Sequence, residues 1–159
     1  MTTEALLAVL KLHHFADEFS PAHLEKLRTL AKEVSFERDQ VIFREGDECS
    51  DFYLIAKGRV GLEIEAPDFT VRVHTLTAGD ELGWSALLMG RGKYFQARAL
   101  EPVEAFAFDG AKLLATCRED GDFGYALMHR LLGVVSERLQ ATRIQLIDSF
   151  SPVAKRAGA

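Results

Sequence analysis

Reactive side chains are few in this chain and poorly spaced for chemistry. Cys49 and Cys117 lie far apart, and neither has a second cysteine or a histidine at metal-ligand spacing. The spacing predicts two reduced thiols rather than a metal site. His13 and His14 are adjacent, and adjacent residues diverge on a helix, so they make a poor chelating pair. No Ser–His–Asp or Cys–His grouping and no paired-carboxylate motif stands out. The pattern points to binding rather than catalysis.

Bulk properties narrow the partners. The 159 residues are 48% hydrophobic and 27% charged, as in a globular chain with one ordinary core. A net charge of -5 disfavours phosphate-backbone binding, which needs a basic surface. No run approaches the ~20 apolar residues of a membrane span, and no cationic leader precedes an apolar core. The expected location is the cytoplasm.

Three zones position whatever site exists, within a single domain over residues 1–159. Residues 1–34 read as N-terminal helices. Ser20–Pro21 supplies a hydroxyl cap and a proline at the first helical position, and Leu24, Leu27, Ala31 and Val34 recur at helical spacing. Residues 35–108 read as strands. Val60, Leu62 and Ile64 alternate with Gly61, Glu63 and Glu65, Pro67–Asp68 supplies a turn, and Phe69, Val71, Val73 and Thr75 alternate on the return. Short strands between frequent glycines predict a sandwich, barrel or jelly roll. The period becomes helical over Leu82–Met89. Residues 109–148 are helical again, with Asp109 capping a short helix over Gly110–Arg118 and a longer one over Asp122–Asp148, before a tail at 149–159. Met128, Leu132, Val135, Leu139, Thr142 and Leu146 follow a 4-3-4-3-4 spacing, the seam of a two-stranded coiled coil. Leu127, Leu131, Val134 and Ile144 widen the apolar surface, so the helix could pack on its own domain, pair with a second copy, or do both.

The stretch Phe43–Gly58 resembles the signature of cyclic-nucleotide-binding domains: Gly46–Asp47, a small residue two positions on, four apolar positions at Phe52–Ile55, and the closing Gly58. Gly46, Asp47 and Gly58 are structural in that signature. Ala78–Gly79–Asp80 is similar to the turn before the family's phosphate cassette, here residues 79–99. Arg138–Thr142 is similar to the long helix of the catabolite-activator group of bacterial regulators. The resemblance covers about Phe19 to Ile147. It implies a mainly β fold, a double-stranded β-helix or jelly roll with N-terminal helices and a long C-terminal helix. It also implies a homodimer through that helix. Only residues 149–159 follow Asp148, too few for a helix-turn-helix module, so DNA binding is not expected.

The resemblance also implies a ligand site, and this sequence departs from it. The family cassette offers a short helix start to the phosphate, an arginine for its charge and a glutamate for the ribose hydroxyl. Gly83, Trp84, Ser85 and Ala86 take the helix start, with N–H groups of Ser85 and Ala86 expected to face an anion. Trp84 replaces the glutamate. The arginine falls near Lys93–Tyr94, with Arg91 and Arg98 as further candidates; lysine lacks the planar two-pronged contact. Thr142 matches a position near the base, where its hydroxyl could bond, or it is a seam residue. A charge-assisted bond is worth roughly 1.5–3 kcal/mol, so these losses weaken ordinary cyclic AMP binding substantially. The ligand expected is a cyclic nucleotide or another small anion. The function expected is a ligand-sensing regulatory domain that signals to a partner protein. Alternatives are a ligand-free interaction module and a transcription regulator lacking its DNA-binding part.

Overall fold

The computed structural model describes residues 3–12, 19–47, 50–87 and 95–150. Helices α1 (Thr3–Leu12) and α2 (Pro21–Leu30) lead into strands β1 (Lys32–Phe36), β2 (Val41–Phe43), β3 (Asp51–Lys57), β4 (Val60–Glu65), β5 (Thr70–Leu76) and β6 (Glu81–Leu82). A 3-10 turn at Trp84–Leu87, β7 (Gln96–Ala99) and β8 (Val103–Asp109) complete the roll, followed by α3 (Gly110–Glu119) and α4 (Gly121–Phe150). Two four-stranded antiparallel sheets result, ordered β1-β8-β3-β6 and β2-β7-β4-β5. This is the jelly roll that the family resemblance implies, one of the three architectures that the strand spacing allows.

Local chemistry sets the corners. Three turns, Glu37–Gln40, Arg44–Asp47 and Thr77–Asp80, close in the same way. The fourth residue's N–H donates to the first carbonyl at 3.0–3.1 Å, and its side chain accepts from the first N–H at 2.8–2.9 Å. The third residue is left-handed each time: Asp39 (φ 67°), Gly46 (86°) and Gly79 (89°). Glycine removes the steric cost of that conformation, and the aspartate holds the turn shut. Gly58 is more constrained. Its φ is 96°, and a Cβ there would sit 2.4 Å from the Pro102 carbonyl oxygen.

The core has two compartments. Phe52, Phe108, Leu113, Phe123, Leu127 and Leu10 join the helices to the β1-β8-β3-β6 sheet. Ile55, Val60, Leu62, Leu76, Ala97, Ala99 and Ala105 fill the roll interior. Capping follows the expectation: Ser20 accepts from the His23 N–H at 3.2 Å, and Asp109 accepts from the Lys112 N–H at 3.0 Å.

Two expectations need correction. The N-terminal helices do not run to Val34. Helix α2 stops at Leu30, and Lys32–Phe36 pairs with β8, Val34 standing opposite Ala105. Cross-sheet pairing and the β-branched Val34 override a helical period that fitted both states. The alternation in β4 also fails at its end. Ile64 is 39% exposed because β7 reaches only to Glu63, whereas Glu63 is buried beneath its neighbours.

Candidate ligand site

The roll interior narrows to a cavity of about 20 Å³, room for about one water. Its described lining is Phe43, Leu62, Gly83, Trp84, Ser85, Phe95 and Arg138. Gly83 is left-handed (φ 77°), which lets the chain leave β6 and enter the 3-10 turn. Ser85 is buried in that turn, while Trp84 is half-buried between the cavity and the helix-side core.

The structure brings Gly83, Trp84 and Ser85 together, as the sequence suggested; of the other described candidates, Ala86, Arg98 and Thr142 do not line the cavity. The Ala86 N–H does not face an anion; it donates to the Gly83 carbonyl at 3.0 Å inside the turn. Ala86 packs against Gly110, where a Cβ would come within 2.6 Å of the Ala86 carbonyl. Arg98 leaves the site altogether. Strand alternation turns Ala97 and Ala99 inward at 0% exposure and Arg98 outward. There its Nε donates to Glu63 Oε1 at 3.2 Å and its Nη1 to the Asp39 carbonyl at 3.0 Å. Gln96 donates to the same Glu63 oxygen at 3.1 Å. Thr142 is exposed on α4, and its hydroxyl donates to the Arg138 carbonyl one turn back at 2.9 Å. Arg91, Lys93 and Tyr94 lie outside the described residues.

Arg138 is the residue that sequence reasoning missed. It falls within the family-like helix segment, but its reach into the roll depends on how α4 lies across β5 and β6. Its Nη2 donates to the Glu81 carbonyl, and Gln145 Nε2 donates to the Val73 carbonyl at 2.7 Å. Arg138 also lines a second cavity of about 140 Å³ on the other side, between α4 and β5–β6, with His74, Asp80, Glu81 and Glu137. Burial there pushes the Glu81 carboxyl pKa up, and Arg130 only partly offsets it with Nε 3.7 Å from Glu81 Oε1. Burial and then the Arg138 charge push His74 down. Burial also lowers the Arg138 pKa, though a guanidinium keeps its charge.

The chemistry of the roll cavity is one-sided. It holds a cation, a hydroxyl and three aromatic rings, and no carboxylate among the described lining residues. Glu63 points out of the roll, and the Glu81 carboxylate turns toward Arg130. Among the described lining residues, Ser85 carries the one side chain able to accept a hydrogen bond from a ribose hydroxyl.

A long helix crossing a jelly roll, with a cassette-like turn facing its interior, is the architecture that the family resemblance implies. The family model for the cyclic nucleotide-binding domain matches residues 33–120, and the chain belongs to that family. No curated protein sequence matches significantly. Among solved structures, a cyclic nucleotide-binding domain from Methylobacillus flagellatus is similar at 18% identity, with a TM-score of 0.80 over 92% of this chain and 83% of that one. The N-terminal domain of a transcriptional regulator from Streptomyces coelicolor aligns at 22% identity and a TM-score of 0.64, covering 80% and 87%. The catabolite activator protein of Thermus thermophilus aligns at 22% and 0.68; the match covers 80% of this chain and 59% of that protein. No described helix is long and apolar enough to cross a membrane.

Proposed function

We propose that this domain senses a ligand in the roll cavity, binds ordinary cyclic nucleotides weakly, and signals from the cytoplasm to a partner protein as a homodimer. The observation that carries the ligand reading is Trp84 standing in the cavity wall where the family resemblance implies a glutamate. A sugar hydroxyl entering there leaves a donor unpaired, at a cost of roughly 1–3 kcal/mol. The small cavity favours one second reading, a ligand-free interaction module, because a nucleotide has to displace aromatic side chains to enter.

Helix α4 supports the dimer. Phe123, Leu127, Leu131 and Val134 are buried against the domain, while Leu132, Leu139 and Leu146 stand 56–66% exposed on another face. A stripe of that kind suits the seam of paired helices. Ligand entry beside Arg138 perturbs the segment from which α4 is held, so occupancy and helix position are coupled. The domain acts by binding, not catalysis. Thermal-shift measurement against cyclic AMP, cyclic GMP and small organic anions tests the proposal. A ligand selective for the folded state raises the melting temperature; no response to any of them favours the ligand-free module.

A further inference from the structure

We infer that the roll cavity takes a small organic carboxylate with a flat apolar body, such as an aryl acid, rather than a sugar phosphate. This rests on the ligand-sensing reading and adds the chemical class. Phe43, Trp84, Phe95 and Leu62 supply apolar walls, and Arg138 supplies the cation. A guanidinium carries five N–H donors. Among the described residues, the hydrogen bond to the Glu81 carbonyl is the only one that the Arg138 guanidinium makes. A carboxylate presents two coplanar oxygens, matched to the remaining fork.

Selectivity follows from what the walls lack. Ribose brings hydroxyl donors, and neither nearby glutamate lines the cavity: Glu63 accepts from Gln96 and Arg98 outside the roll, and Glu81 Oε1 faces Arg130 at 3.7 Å without a hydrogen bond. A wall whose described residues offer few acceptors disfavours a donor-rich ligand, since each unpaired donor loses its water without replacement. An aryl ring brings no such donors and stacks on Phe and Trp. A single ring also needs far less displacement of the lining than a nucleotide does, in a cavity of about 20 Å³.

Trp84 is the sole tryptophan, so its emission reports directly on the cavity. The test titrates the full chain with benzoate, trans-cinnamate, the uncharged benzamide and cyclic AMP, following Trp84 fluorescence and melting temperature. The acids are expected to saturate, and benzamide to bind about tenfold or more weakly. Arg138→Lys is expected to weaken the acids about tenfold and Arg138→Gln to abolish them, with circular dichroism confirming that each variant folds. The wild-type comparison of benzoate with benzamide stands even if a variant does not fold. Equal binding of benzoate and benzamide overturns the inference. So does saturation by cyclic AMP with no response to the acids, which leaves the ligand-sensing reading intact. Silence from all four, at millimolar concentration, overturns both.

Discussion

The turns Arg44–Asp47 and Thr77–Asp80 are near copies, with a left-handed glycine and an aspartate that accepts from the first residue's N–H. What they introduce differs. The first precedes β3, whose Phe52, Leu54 and Ile55 are at most 1% exposed and serve both core compartments. The second precedes the turn at Trp84–Leu87, where a half-buried tryptophan borders a cavity. Identical backbone devices thus support a region whose contents are fixed by packing and one that borders a cavity. Architecture and specificity are separable here, and substitutions can break or sharpen that separation.

The largest effect belongs to the architectural side. Gly58→Ala combines a left-handed φ with a collision against the Pro102 carbonyl. It is expected to cost about 3 kcal/mol in urea denaturation. On α4, Leu132→Glu with Leu139→Glu is expected to weaken self-association by about a hundredfold, or about 2.7 kcal/mol, in sedimentation equilibrium. A wild-type monomer contradicts the dimer. On the specificity side, Trp84→Glu with Lys93→Arg restores the family's groups and is expected to raise cyclic AMP affinity at least about tenfold by calorimetry. Gly46→Ala keeps the left-handed strain but meets nothing within 4 Å, so about 1 kcal/mol is expected. Similar losses for Gly46→Ala and Gly58→Ala would remove the steric part of the argument.

The smallest effect tests the seam beside the cavity. The folded pKa of Glu81 is raised above its ordinary 4.5, so the fold holds that proton more tightly than the unfolded chain does. Its contribution is fully present below pH 4.5 and is lost as pH rises through the raised value. Glu81→Gln, which cannot ionise, is expected to flatten that part of the stability profile measured by melting temperature against pH. An unchanged profile contradicts the assignment.

What was legible in the sequence was what is decided locally. Ser20 and Asp109 cap helices because a hydroxyl or carboxylate before a helix start needs only its own next turn. Gly46, Asp47 and Gly58 marked their turns for the same reason. Helix α4 runs from Gly121 to Phe150, within a few residues of its periodic stretch. The misses are long-range. Val34 joins β1 because β8, some seventy residues on, offers an edge. The facing of Arg98 depended on which side of β7 became the interior, and a single Arg between two alanines does not say. Arg138 enters the site only because α4 lies across β5 and β6, a placement fixed by contacts such as Gln145 with Val73.

Calorimetric titration of the wild-type chain with cyclic AMP tests most directly whether a cyclic-nucleotide roll has here parted from its usual ligand. The account predicts binding too weak to saturate in the micromolar range. Saturation at sub-micromolar concentration would contradict it, and would mean that Trp84 does not stand in for the hydroxyl-binding group.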